Sequence, residues 1–233
     1  MKGYGQFCPV AVACEIFAER WTPLILREMF AGSRRFNQIR LGMPLISRTL
    51  LARRLRELED AGVVQSQPLT GSRGREYRLT RAGEELQGVV DRLGAWGQHY
   101  AATQFAPDNL DVGLLMFNIR RRVDVSRLPQ PRVVVQFEFR GVPPRCRGMR
   151  TCWLVLQRRD VDVCIKDPGF PVDLVVHADM ATLARVWAGH LTFAQGTRSG
   201  GLRIEGSRAL VHAFPDWLLL SHYARVLQPA HAG

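Results

Sequence analysis

Ser47-Arg48-Thr49-Leu50-Leu51-Ala52-Arg53-Arg54-Leu55-Arg56-Glu57-Leu58-Glu59-Asp60-Ala61-Gly62 is the stretch on which the fold turns. Ser47 has the short oxygen-bearing side chain that caps a helix start, and Gly62 suits the left-handed residue that closes one. Between them Leu51, Leu55 and Leu58 recur at i, i+4 and i+7, which gives a helix through Ala61 one buried stripe. Its other faces stay free, and they carry Arg48, Thr49 and Arg53.

On the N-terminal side, Trp21-Thr22-Pro23 reads as a helix start, with Thr22 as cap, Pro23 at the first helical position and Trp21 stapled onto Leu26. Gly32 ends that helix. A short helix over residues 37–41 and a Gly42-Met43-Pro44 turn lead into the quoted stretch. On the C-terminal side, residues 63–68 and 76–80 read as two strands, with turn-forming residues between them and arginines at the tip. A long helix over 81–102 follows. Its apolar positions Leu86, Val89, Val90, Leu93, Trp96 and Tyr100 exceed what one face of a small domain needs, so part of it is expected to meet a partner subunit.

Residues 33–56 hold seven arginines (Arg34, Arg35, Arg40, Arg48, Arg53, Arg54 and Arg56) and no Asp or Glu. A helix that enters a duplex groove passes between rows of phosphates, so it needs a basic, acid-free outward face and small polar residues where it approaches base edges. Ser47, Arg48 and Thr49 stand at the helix N-terminus, where the dipole also favours phosphate, and Arg53 stands one turn on. Arg73 and Arg75 flank the hairpin tip. Most charge runs are only solvated faces. What favours DNA here is the order of helix, short helix, capped helix, basic hairpin and long helix, together with an excess of 32 Lys and Arg over 21 Asp and Glu, formally +11.

Near residues 103–111 the periodicity lapses at Pro107-Asp108-Asn109, and the texture then changes. After a helix at 112–122, alternation with period two marks strands: Val133, Val135, Phe137 and Phe139, then Val161, Val163 and Ile165, then Leu202 and Ile204. Residues 151–157 and 172–177 are further strands. Asp179 caps a helix, and Asp216 is read as the start of a terminal one running to about 226. The fold expected is α+β throughout: a winged helix-turn-helix in residues 1–104, and in 110–233 a domain with a mostly antiparallel sheet and helices on one face.

Catalysis finds no support. The six histidines are scattered and none sits beside a nucleophile elbow, and Gly200-Gly201 lacks the lysine of a phosphate loop. The five cysteines include no C-x-x-C pair, so neither a structural metal nor a disulfide scaffold is expected, and no cofactor is implied. Residues 1–7 lack a signal-peptide core, and no apolar run approaches the roughly 20 residues that cross a bilayer. A soluble cytoplasmic chain without membrane contact is expected. Cys8 precedes Pro9, so its thiol falls at a helix N-cap, where the dipole favours thiolate. A thiol that simply packs is the plainer reading.

Cys8-Pro9-Val10, Arg20-Trp21-Thr22, Ile25-Leu26-Arg27, Arg35-Phe36, Ile46-Ser47, Arg54-Leu55-Arg56-Glu57-Leu58-Glu59, Gly62-Val63-Val64 and Glu76-Tyr77-Arg78-Leu79-Thr80 with Gly83 together resemble the HxlR-type winged helix-turn-helix regulators. The resemblance covers residues 8–102. It implies a homodimer on double-stranded operator DNA, with the helix that starts at Ser47 in the major groove. The DNA-contacting positions are then Arg35, Ser47, Arg48, Thr49, Arg53, Arg73 and Arg75. Many members carry a basic residue where Thr49 stands, which shifts the base contacts here toward Arg48. Some members sense oxidants through a cysteine at the position of Cys8.

Thr182-Leu183, Trp187-Ala188-Gly189-His190-Leu191 and Gly201-Leu202-Arg203-Ile204-Glu205-Gly206 resemble the sterol-carrier-protein-like fold, which holds apolar or amphipathic ligands between sheet and helices. The resemblance makes Phe137, Phe139, Trp153, Trp187, Phe193, Phe214 and Trp217 pocket candidates for a hydrophobic effector, although taken singly each aromatic is more often core. An effector-responsive DNA-binding regulator is the function expected. The rival is a small-molecule carrier whose winged helix binds protein, and such a domain has no need of an acid-free basic segment.

Overall fold

The computed structural model describes residues 3–69, 71, 74–101, 105–129 and 131–227. It divides into two compact units, Met1–Gly94 and Ala95–Gly233. The sequence places the change of texture at residues 103–111, later than the dividing point inside the long helix.

The first unit is built from α1 (Pro9–Phe17), α2 (Thr22–Phe30), α3 (Phe36–Leu41), α4 (Arg48–Asp60), the hairpin β1 (Val64–Pro68) and β2 (Arg75–Leu79), then α5 (Arg81–Glu85) and the first half of α6 (Gln87–Tyr100), whose last residues from Ala95 belong to the second unit. The Ser47 hydroxyl accepts the Leu50 N–H at 3.2 Å and caps α4. Gly62, at φ 69°, turns the chain out of the helix, and its N–H reaches the Glu59 carbonyl at 2.9 Å. Leu51, Leu55 and Leu58 lie in one core with Ile25, Leu26, Met29 and Ile39.

Two local readings need correction. Thr22 does not cap α2: the N-cap is Trp21, held at φ 80°, a left-handed conformation rare for so large a residue. The helix expected over 81–102 is broken at Leu86, whose N–H bonds the Gly83 carbonyl three residues back at 3.2 Å, and this tighter turn separates α5 from α6.

The second unit opens with α7 (Val112–Arg120), capped by Asp111, and continues through β3 (Arg132–Arg140), β4 (Thr151–Gln157), β5 (Asp160–Cys164), β6 (Leu174–Asp179), α8 (Met180–Trp187), α9 (Phe193–Arg198), β7 (Leu202–Gly206) and α10 (Arg208–Trp217). The sheet order is β5-β4-β3-β6-β7, and only the β3–β6 pair is parallel. Residues 165–173 carry the chain from edge strand β5 past β4 and β3 to β6, and this crossover lets β6 run parallel to β3. The face carrying Val133, Val135, Phe137 and Phe139 is buried under apolar residues of α7, α8 and α10. The terminal helix is earlier than expected. Ser207 caps it and Asp216 lies in its last turn, because Phe214 and Trp217 are the residues it buries.

Candidate nucleic-acid interface

The leucine stripe fixes which way α4 faces. With Leu51, Leu55 and Leu58 buried, Ser47, Arg48, Thr49, Arg53 and Arg56 are left exposed. No acid stands in the first two turns, and Glu57, Glu59 and Asp60 crowd the far end. Arg53 is loosely tied to Glu57, with Nε 3.7 Å from Oε1. The N-terminal end therefore presents two guanidinium groups, two hydroxyls and the positive end of the helix dipole.

Not every arginine of the basic segment faces outward. Arg54 is 7% exposed: its guanidinium donates to Glu57 Oε2 at 2.6 Å, to a Glu19 carboxylate oxygen and to the Arg20 carbonyl. It ties α4 to the turn that follows α1. Arg34 donates to the Met29 carbonyl at 3.3 Å. Sequence reasoning counted these two with the outward charges, because a residue type alone does not show which partner it will find.

The approach to α4 is set by the turn before it. The Glu28 carboxylate is fully buried beside Gly42, where a Cβ would fall 2.0 Å from its carboxyl carbon. Arg27 Nη2 reaches Glu28 Oε1 at 2.8 Å and the Gly42 carbonyl at 3.1 Å. A buried charge paired in this way resists displacement, so the turn between α3 and α4 is anchored on α2.

The hairpin carries an addition that the sequence did not disclose. Arg35 bridges to Glu76, and the Tyr77 N–H donates to the Arg34 carbonyl at 2.7 Å, so the segment before α3 pairs with β2 as a third, minimal strand. This holds exposed Arg35 at the N-cap of α3. Arg75 is exposed too, but its Nε donates to the Ser66 hydroxyl at 2.7 Å and lies across the hairpin. Arg73 falls outside the described residues.

Cys8 is exposed at the N-cap of α1, with Pro9 at the first helical position. The backbone N–H groups of Ala11 and then Val10 draw its thiol below the usual cysteine range.

In the second unit, Phe137, Phe139, Phe193, Phe214 and Trp217 come together between sheet and helices. Ring centroids are 5.7 Å apart for Phe214–Trp217, 5.9 Å for Phe137–Phe139 and 6.0 Å for Phe193–Phe214. Phe137, Phe214 and Trp217 have no exposed surface, and Trp187 and Phe193 are partly exposed at the margin of this cluster. Trp153 does not join it. It pairs with Gln136 while its neighbour Cys152 pairs with Phe137, so the pleat sends its indole to the opposite face of the sheet.

Among the described residues no group of His, Cys, Asp and Glu could hold a metal, and no helix is long and apolar enough to cross a membrane.

Residues 16–105 match the HxlR-like helix-turn-helix family. An uncharacterised HTH-type transcriptional regulator of Mycobacterium tuberculosis is 45% identical over 94 residues, 39% of this chain and 58% of its own. The chain thus spans little more than half the length of that relative. The HTH-type transcriptional regulator YodB of Bacillus subtilis is 35% identical over 95 residues, 40% of this chain and 85% of its own. Among solved structures, the redox regulator HypR in its reduced form is 29% identical, with a TM-score of 0.39 over 41% of this chain and 95% of HypR. The matched segment includes the capped, acid-free α4 and the hairpin beside it, and with most of YodB aligned on it the chain belongs to the HxlR-like helix-turn-helix family.

Proposed function

We propose that the chain is a cytoplasmic, homodimeric regulator of transcription that reads operator DNA with the N-terminal end of α4. The observation that carries this reading is the outward, acid-free display of Ser47, Arg48, Thr49 and Arg53, held in place by the buried leucines behind it. Arg48 and Arg53 take base edges. Arg35, Arg75 and Arg73 take phosphates. The test is selection of bound duplexes from a random pool, followed by titration of the selected site with the Arg48→Ala protein. A selected consensus that the variant no longer distinguishes supports the assignment, and failure to enrich any sequence overturns it.

Dimerisation is supported by α6, where Val89, Leu93, Trp96 and Tyr100 form one stripe at i, i+4, i+7 and i+11 and remain 48–72% exposed. Cys8 is the candidate for a thiol-based signal. For the second unit we propose an effector-binding role with the sterol-carrier-like resemblance as its support: α8 precedes the edge strand β7, although the short helix α9 stands between them where a loop was expected, and the helices gather on one face of the sheet. An apolar effector would enter beside Trp187 and Phe193, the partly exposed members of the aromatic cluster. Solvent extraction of the purified protein, with mass spectrometry of the extract, tests that role.

A further inference from the structure

At the end of the sheet where β3 begins and the β4–β5 hairpin turns lies an open cavity of ≈ 720 Å³. It is separate from the aromatic cluster. Arg132 reaches it from the first residue of β3, and Arg158 and Arg159 from the two-residue turn between β4 and β5. None of the three makes an ion pair among the described residues.

The neighbouring acids are committed elsewhere. Asp160 and Asp162 face Arg120, with Oδ1 atoms 3.8 and 3.4 Å from its Nη2. Asp173, on the cavity wall, accepts the Val134 N–H on Oδ2 at 2.8 Å. Three guanidinium groups around one cavity repel one another, and among the described residues that line it Asp173 is the one carboxylate that offsets them.

The walls are stiff. Pro131 and Pro171 line the cavity, and the Arg132 guanidinium lies over the Phe170 ring, 4.0 Å from its centroid. Phe170 follows a turn closed by the Gly169 N–H on Asp167 Oδ1 at 2.8 Å. The ring contact limits the freedom of the Arg132 guanidinium, and a guanidinium restrained in this way binds an oxyanion with less ordering to do. The depression is open and lined mostly by polar residues, with Pro131 and Pro171 as its apolar ones, so it offers a small molecule three guanidinium groups and a limited apolar contact.

We propose that this cavity is a binding site for a small organic anion, its carboxylate or phosphate held by Arg132, Arg158 and Arg159 and its apolar part against Pro131 and Pro171. The site does not depend on the effector reading above.

The test is calorimetric titration of the full chain with benzoate, with phenyl phosphate, and with neutral benzamide, which keeps the ring and lacks the charge. Saturable binding of benzoate or phenyl phosphate but not benzamide is expected, and which anion binds more tightly identifies the preferred head group. Arg132→Gln, and separately the exposed-turn double variant Arg158→Gln/Arg159→Gln, should each weaken it by about tenfold or more, the loss of roughly one charge-assisted contact. Arg147→Gln, at the opposite end of the sheet, should leave it unchanged. Should the double variant fold poorly by circular dichroism, Arg132→Gln alone decides. The proposal falls if neither anion saturates at millimolar concentration, or if benzamide binds equally well. It falls too if the variants leave anion binding intact while lowering the salt dependence of binding to duplex DNA, since the arginines would then be nucleic-acid contacts. Anion binding that obeys the variants but leaves operator affinity untouched upholds this site and separates it from regulation of DNA binding.

Discussion

A Cβ on Gly83 would stand 2.2 Å from the carbonyl oxygen of Val63. That oxygen also accepts the Thr80 N–H at 3.1 Å, and the Thr80 hydroxyl accepts the Gly83 N–H at 3.2 Å, so the foot of the hairpin and the first turn of α5 share one junction. The obstacle is backbone and cannot swing aside. Gly83→Ala should therefore destabilise the first unit by about 1 to 3 kcal/mol, the usual cost of overpacking. Chemical denaturation followed by circular dichroism measures it, and a change within about 0.5 kcal/mol, as at an ordinary surface site, would contradict the close approach.

Two arginines six residues apart should fail in different ways. Arg54 is buried and linked to Glu19, Glu57 and the Arg20 carbonyl, so Arg54→Ala takes the cation from Glu19, leaves Glu57 with loosely tied Arg53, and opens a cavity beside α4. Both carboxylates are about one-third exposed, which moderates the cost to about 1 to 3 kcal/mol of stability. Arg48 is exposed and makes no such contact, so Arg48→Ala should leave the melting transition in place. It should cost about 1 to 3 kcal/mol on the selected operator and relax its sequence preference. Thermal melts beside binding titrations of both variants separate the two roles.

What the sequence disclosed follows from how local each cause is. Ser47 and Gly62 act within one turn of themselves, and the leucine period needs only one helix, so α4 was legible to within a residue. The pairing of Arg35 with Glu76 joins residues 41 apart and left no periodic signature. Arg54 looked like Arg53 and Arg56 because its partner Glu19 lies on the far side of two helices. The start of the last helix was misplaced because Asp216 and Ser207 are both good caps, and only the burial of Phe214 and Trp217 chooses between them. Residue type alone groups Trp153 with the aromatic cluster; the β3–β4 register, which sets Cys152 and not Trp153 opposite Phe137, sends it to the other face.

The exposed stripe on α6 predicts a two-fold homodimer that reads half-sites roughly 10 bp apart. Trp96 and Leu93 are the largest apolar groups near its middle, 58% and 49% exposed. Placing a carboxylate there, as in Leu93→Glu or Trp96→Glu, would bury a charge in the dimer contact and should yield a monomer that still folds. Sedimentation at micromolar concentration reads the mass, and the same samples should bind a full operator far more weakly than the parent. A wild-type chain that sediments as a monomer and still grips one half-site tightly would refute the dimer.

Cys8 and Cys152 should titrate at opposite ends of the thiol range. The N–H groups of Ala11 and Val10 stabilise the Cys8 thiolate and lower its pKa, whereas burial pushes the Cys152 thiol up to about 12. A lowered pKa means that the reactive thiolate persists at pH values where an ordinary cysteine is already protonated, and is lost only on further acidification. Pulse alkylation with iodoacetamide, followed by peptide mass spectrometry, should therefore label Cys8 first at neutral pH, with a rate that falls to half at a lower pH than for free cysteine. Cys152 should stay unlabelled until the chain unfolds. If Cys8 also carries a signal, Cys8→Ser should keep operator affinity while abolishing release by diamide. A variant that diamide still releases would leave the thiol reactive but without a regulatory role.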